Sequence, residues 1–209
     1  MKDNEKNRKL SESEQRRLRD YQALCEQMKE KGYRVRELTV SIVKANLFVA
    51  AAAVPVIGLG MFLFFFFHRD APFRMMNGIV FLFAVLALTV VHELIHGLTW
   101  SVFSKDHFKD IEFGFMKEYL TPYCTCKVPL KKKGYVLGTL MPLIALGILP
   151  AVFALIVGNP DLLILGLVMI LSAGGDVLIV LQLLRYKTDA KDIVLLDHPT
   201  QAGLAVFEK

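Results

Sequence analysis

His92, Glu93 and His96 form an H-E-x-x-H pattern inside an apolar run over residues 75–103. On an α-helix, positions i and i+4 stack on one face, so the two histidines present two imidazoles to one cation. Glu93 lies about 100° round from His92, where it reaches a metal-bound water without being forced into the ligand set. Zinc favours imidazole nitrogen, and a catalytic zinc keeps one position for water or substrate. The expected chemistry is hydrolytic: the metal lowers the pKa of water toward about 7 and Glu93 takes its proton. The competing account is a structural polar cluster, because so short a pattern also arises by chance. The setting weighs against chance, since histidine and glutamate are costly in hydrocarbon unless they are paired or used.

Two histidines do not close such a site, and a third protein ligand is usual. Asp176 is the one ionisable residue of a later apolar run, in Ser172-Ala173-Gly174-Gly175-Asp176. Counting in from the ends of the two runs at about 1.5 Å per residue puts His96 about 10 Å deep, His92 about 16 Å and Asp176 about 12 Å. The carboxylate therefore sits level with the imidazoles. Gly174 and Gly175 permit close helix approach or local unwinding. The alternative is an aspartate bonded to a neighbouring serine or threonine beside helix-packing glycines. His198 in the last segment, and His107, Glu112 and Glu118 in a polar insertion, are rivals for the ligand role, each with an ordinary solvated reading.

The elements that must position these groups are membrane spans. The chain has 209 residues, 54% hydrophobic, with 15 phenylalanines and a mean hydropathy of +0.44. That composition excludes a typical soluble domain and fits a small multi-spanning protein. The expected fold is an all-α membrane protein of about four transmembrane helices, with a small cytosolic β-hairpin insertion and an N-terminal amphipathic helix. Residues 1–38 form a charged extension in which Ser11 and Glu14 make a capping box, and Leu18, Tyr21, Leu24, Cys25 and Met28 recur at helical spacing. This helix lies on the bilayer surface, packs on the cytosolic face of the core, or is merely solvated. The membrane core covers 39–184, with spans at about 41–67, 75–103, 134–157 and 162–184, each long enough for a hydrocarbon layer of roughly 30 Å. The turn His68-Arg69-Asp70-Ala71-Pro72 separates the first two spans. A polar insertion occupies 104–133 and a tail 185–209.

The net charge of +5 follows the membrane and argues against nucleic-acid binding. Basic residues gather in the first extension, the insertion (Lys105, Lys109, Lys117, Lys127, Lys131, Lys132, Lys133) and the tail (Arg185, Lys187, Lys191). The intervening turns hold only Arg69 and Arg74. The positive-inside rule puts both termini and the insertion in the cytosol. The polar start predicts no cleavable signal peptide, leaving the first span to direct insertion. Cys25, Cys124 and Cys126 lack a disulfide framework and read as reduced cytosolic thiols, with Cys124 and Cys126 buried.

Within the insertion, Ile111-Glu112-Phe113-Gly114-Phe115 alternates like a half-buried strand, and residues 121–128 form a second β-prone stretch, with Tyr119-Leu120-Thr121-Pro122 as a turn. A hairpin at the mouth of the site could pair its edge with an extended substrate; otherwise it is a linker packed on the membrane face.

A transmembrane H-E-x-x-H helix with a distant aspartate from a later span resembles the site-2-protease class of intramembrane zinc metalloproteases. More closely, His92-Glu93-Leu94-Ile95-His96-Gly97, Leu120-Thr121-Pro122-Tyr123-Cys124-Thr125-Cys126, Met141-Pro142 and Gly174-Gly175-Asp176 resemble a group of small bacterial membrane proteins called putative zincin peptidases, over roughly residues 38–200. The aspartate segment lacks the Leu-Asp-Gly and Asn-Pro features of the better-known site-2 proteases. The resemblance implies one zinc per chain at His92, His96 and Asp176, Glu93 as catalytic base, and residence in a bacterial cell membrane. The activity implied is hydrolysis of a membrane-embedded protein or peptide near the cytosolic side. A zinc-stabilised partner-binding or sensor protein is the non-catalytic alternative. A divalent-cation transporter would need polar residues spread along a path, and here they cluster at one depth.

Overall fold

The computed structural model describes residues 11–69, 75–116 and 121–209. Parts of both expected turns, 70–72 and 119–120, together with Arg74, Lys117, Glu118 and the first ten residues of the extension, lie outside them. Apolar helices dominate. After α1 (Glu12–Glu30) and β1 (Arg34–Val40) come the long helices α2 (Ile42–Phe67) and α3 (Gly78–Phe103). A 3-10 turn leads to the hairpin β2 (Ile111–Met116) and β3 (Thr121–Cys126), followed by β4 (Leu130–Lys131). Then α4 (Lys132–Pro142) and α5 (Leu149–Val157) run together, joined by a wide π-type turn over Leu143–Ile148. The wide turn lies between Pro142 and Pro150, where a missing N–H disturbs the ordinary helical ladder.

Three helical stretches are long and apolar enough to cross a bilayer: Val43–Phe67, Gly78–Phe103 and Lys132–Val157. The expected fourth span is not one straight helix. It divides into α6 (Pro160–Ser172) and α7 (Gly174–Arg185), bent by 45° at Ala173, and the total reaches four only if this pair is counted as one span. The glycines at 174 and 175 weaken the ladder there, and Gly174 approaches α2 so closely that a Cβ would lie 2.5 Å from Val49. The break puts Asp176 in the first turn of α7, where freed N–H groups favour a negative charge.

The larger departure is a four-stranded antiparallel sheet ordered β1-β6-β5-β4, in which β5 (Ile193–Asp197) and β6 (Ala202–Glu208) pair with a strand from the beginning of the chain. The sequence reading expected a hairpin alone; β2 and β3 do pair, Ile111 opposite Cys126 and Met116 opposite Thr121, but the terminal sheet is additional. One sheet face carries Leu195, Leu204 and Val206 onto Trp100, Tyr135 and Leu183, at the ends of α3, α4 and α7. The other carries Leu196, Ala205 and Phe207 onto Tyr21 and Met28 of α1. The apolar stripe of α1 is thus spent on the sheet. Ser11 caps this helix, taking the Glu14 N–H while the Glu14 carboxylate accepts from the Ser11 N–H.

The hairpin is tied down from both sides. Arg16 of α1 meets Glu112 at 3.1 Å, and the Arg17 guanidinium lies 4.2 Å over the Tyr123 ring. Towards the bundle, Phe113 presses on Gly97, where a Cβ would approach it to 2.4 Å.

Candidate metal centre

His92 and His96 lie one turn apart on the buried face of α3, and Asp176 reaches them from α7. His92 Nε2 is 3.1 Å from Asp176 Oδ2 and 3.1 Å from His96 Nε2, and His96 Nε2 is 3.5 Å from Asp176 Oδ2. Zinc bonds of about 2.0–2.1 Å in tetrahedral geometry give ligand–ligand edges of about 3.3–3.4 Å. The three donor atoms therefore already describe one face of such a tetrahedron. The His96 ring fixes its own proton. Its Nδ1 donates to the Gly138 carbonyl at 2.8 Å, which leaves the Nε2 lone pair pointing into the cluster, the orientation a ligating imidazole needs. His92 Nδ1 is buried without a hydrogen-bond partner among the described residues.

An aromatic ladder holds these rings. His96 stacks on Trp100 at 5.0 Å, and Trp100 stacks on Tyr135 at 5.9 Å. Trp100 Nε1 donates to the Tyr135 carbonyl at 3.1 Å. The indole lies so close to Gly138 that a Cβ would come within 2.1 Å of it. Neither Trp100 nor Gly138 figured in the sequence reading. Two signals were present: Trp100 continues the i, i+4 series of His92 and His96, and Gly134 and Gly138 form a small-x-x-x-small pair.

Glu93 is half-buried, within electrostatic reach of His92, His96 and Asp176, and its carboxylate lies against the backbone N–H of Cys124 in β3. Strand β3 therefore crosses beside the candidate base. It is fixed there through Asp197 of the last segment, which accepts from the Tyr135 hydroxyl at 2.6 Å and from the Thr125 hydroxyl at 3.2 Å.

Burial raises the Asp197 carboxyl above the ordinary carboxylate range, against the opposing pull of those two hydrogen bonds. A raised folded-state pKa means that its contribution to stability is full below the unfolded value near 3.9 and fades as pH rises through the folded value. Asp197→Asn removes this penalty. Its melting temperature relative to the parent should therefore climb as pH rises above about 4. A gap that stays constant across those pH values contradicts the assignment.

The rivals for the third ligand go elsewhere. His198 Nδ1 accepts the N–H groups of Thr200 and Gln201, and its ring packs on Tyr21. His107 bonds the Ser101 carbonyl at 3.0 Å, and Glu112 pairs with Arg16. Glu118 is outside the described residues. Cys124 and Cys126 are thiols outside any disulfide. Burial pushes Cys126 to about 11 and Cys124 further up. At pH 8 roughly one Cys126 thiol in a thousand is thiolate, so alkylation in the folded protein should be slow and accelerate on denaturation. Rapid labelling of both in the native state contradicts this.

Apolar helices of membrane-crossing length that enclose two imidazoles and a carboxylate at zinc-like spacing fit a membrane protein with a metal-type donor set. Comparison with protein families narrows that class: residues 85–191, just over half of the chain, match a family described as "Putative zincin peptidase", and the chain belongs to it. The matched stretch contains His92, Glu93, His96 and Asp176. No curated protein and no solved structure matches the chain.

Proposed function

We propose that the protein is an intramembrane zinc metallopeptidase of the site-2-protease kind, acting on a membrane-embedded protein or peptide near the cytosolic side. The observation that carries this reading is the convergence of His92 Nε2, His96 Nε2 and Asp176 Oδ2 within 3.1–3.5 Å, beside a carboxylate at position 93. Family membership supports the peptidase class.

His92, His96 and Asp176 would hold one zinc ion, which when bound supplies Lewis-acid polarisation of the peptide carbonyl and activation of water. The rest of the chemistry belongs to the chain's own residues. Glu93 takes a proton from the attacking water at its carboxylate as the water oxygen bonds to the peptide carbon. It then passes that proton to the amine nitrogen as the C–N bond breaks. Trp100 and Gly138 hold the His96 ring at one tilt and one tautomer. Among the described residues the hairpin β2–β3 is a two-stranded sheet, so it leaves a strand edge to which an extended substrate segment can add by main-chain hydrogen bonds. Unwinding the target is a requirement of cleavage within a bilayer, and an edge strand offers the unwound segment partners.

The distribution of basic residues supports a cytosolic position for both termini and for the hairpin. The resemblance drawn from the sequence supports a bacterial cell membrane. The test of the activity is direct. Zinc-loaded protein in proteoliposomes is mixed with solubilised membrane proteins, and new N-termini are counted. New termini that require Glu93 support the reading; equal counts with and without Glu93 sink it.

A further inference from the structure

An open cleft of about 820 Å³ lies between the terminal sheet and the segment that leaves α7. Its walls carry five cations, Arg34, Arg36, Lys187, Lys191 and Lys209, against the carboxylates of Asp189 and Glu208. None of its lining residues belongs to the donor cluster of His92, His96 and Asp176, and nothing in the proposed catalysis uses it.

The register of the sheet settles which way the arginines face. Arg34 is opposite Glu208, Arg36 opposite Val206 and Leu38 opposite Leu204. Directly opposed residues share a face. Val206, Leu204 and Leu38 belong to the face packed on Trp100, Tyr135 and Leu183 at the ends of the spans. Arg34 and Arg36 thus share the sheet face that is turned toward the ends of the helices, beyond that apolar contact. Lys187 and Lys191 approach the same space from the other side, a few residues beyond the end of α7 at Arg185.

The charges are not all spent within the protein. Glu208 accepts from the Tyr186 hydroxyl at 2.8 Å and lies 3.7 Å from Arg34 Nη2. The Lys209 ammonium donates to the Lys31 carbonyl at 2.7 Å. Arg36 lies within electrostatic reach of Glu208 and Tyr186 without a close ion pair, and Lys187 and Lys191 have no ion pair among the described residues. They leave a concave, cationic space close to the end of α7. Guanidinium and ammonium donors there are suited to phosphate oxygens, with arginine supplying a planar two-pronged contact and lysine a point charge.

We propose that this cleft binds a phosphate-bearing anion, with Arg36, Lys187 and Lys191 as its principal contacts. The group can arrive as the headgroup of an anionic lipid in the adjoining leaflet or as a soluble phosphate ester. Occupancy from the lipid side draws the terminal sheet onto the membrane surface, adding to the general attraction of basic segments for anionic bilayers.

The test uses the full-length protein in a neutral detergent. Its thermal unfolding is followed with added phosphatidylglycerol, phosphatidylcholine, or glycerol phosphate. Ligand binding to the folded state should raise the midpoint by about 2–4 °C. A rise with phosphatidylglycerol alone assigns a lipid headgroup, and a rise with glycerol phosphate as well assigns a soluble ester. In either case Arg36→Gln/Lys187→Gln should abolish most of the rise. Lys132→Gln/Lys133→Gln, which removes two exposed charges from the same end of the bundle, should keep it. Both pairs are exposed, and a circular dichroism spectrum equal to the parent's confirms folding. An equal rise with zwitterionic phosphatidylcholine, no rise with phosphatidylglycerol or glycerol phosphate, or equal loss in both double variants overturns the proposal.

Discussion

Glu93→Gln is expected to retain zinc and the folded structure while losing peptide hydrolysis by a factor of about 10²–10⁴, the usual worth of a positioned general base. The amide keeps the shape of the carboxylate and can still meet the Cys124 N–H through its oxygen. It cannot take a proton. The three ligand atoms stand apart from residue 93, so the donor set of His92, His96 and Asp176 is untouched. Zinc content, melting temperature and turnover measured on the same preparation separate the effects. Equal turnover in parent and variant removes Glu93 from the base role, and no turnover in either favours a zinc-stabilised partner-binding protein. Loss of zinc or of folding in the variant shows instead that Glu93 serves the structure.

The second large effect is expected away from the motif, in Gly138→Ala. The added methyl would meet Trp100 Cδ1 at 2.1 Å and Nε1 at 2.2 Å, distances that no side chain tolerates without movement. Trp100 is boxed in by His96 on one face and by Tyr135 on the other. Its displacement therefore tilts the His96 ring and disturbs the bond from His96 Nδ1 to the carbonyl of the same Gly138. Overpacking of this kind costs about 1–3 kcal/mol of stability. Loss of the outer hydrogen bond to a ligating histidine lowers metal affinity by about 10–100-fold. A competition titration with a zinc chelator reads the second effect, and thermal unfolding in excess chelator reads the first. A folded Gly138→Ala protein with parental zinc affinity shows that the ladder does not orient His96.

The centre was largely legible in the sequence because its parts are local or costly. The i, i+4 spacing of His92 and His96 fixes a shared helical face. Asp176 could be placed beside them because an ionisable residue in an apolar run invites a partner and helical rise converts residue number into depth. What periodicity cannot see is pairing across distance. Strand β6 is enclosed on both faces, Leu204 against the bundle and Ala205 against α1. Its apolar stretch thus lacks the alternation that marks a half-exposed strand. Strand β1, with Arg34, Arg36 and Glu37, reads as part of a charged extension until its partner at the far end of the chain is known. The role of Asp197 was hidden for the same reason, since its partners Thr125 and Tyr135 come from other elements. The break at Ala173 was only half legible. The glycines announced a weak point, but the 45° bend depends on how α7 packs against α2.

The central claim is that His92, His96 and Asp176 make one zinc site, and the most direct test is metal stoichiometry. The full-length protein, purified in detergent and made metal-replete, is measured beside Asp176→Ala and the double variant His92→Ala/His96→Ala, with folding checked by circular dichroism. The account predicts about one zinc per chain in the parent, the number a single three-ligand site holds, and loss of that zinc in both variants while they remain folded. A folded, metal-replete parent with no zinc, or folded variants that keep a full complement, contradicts it.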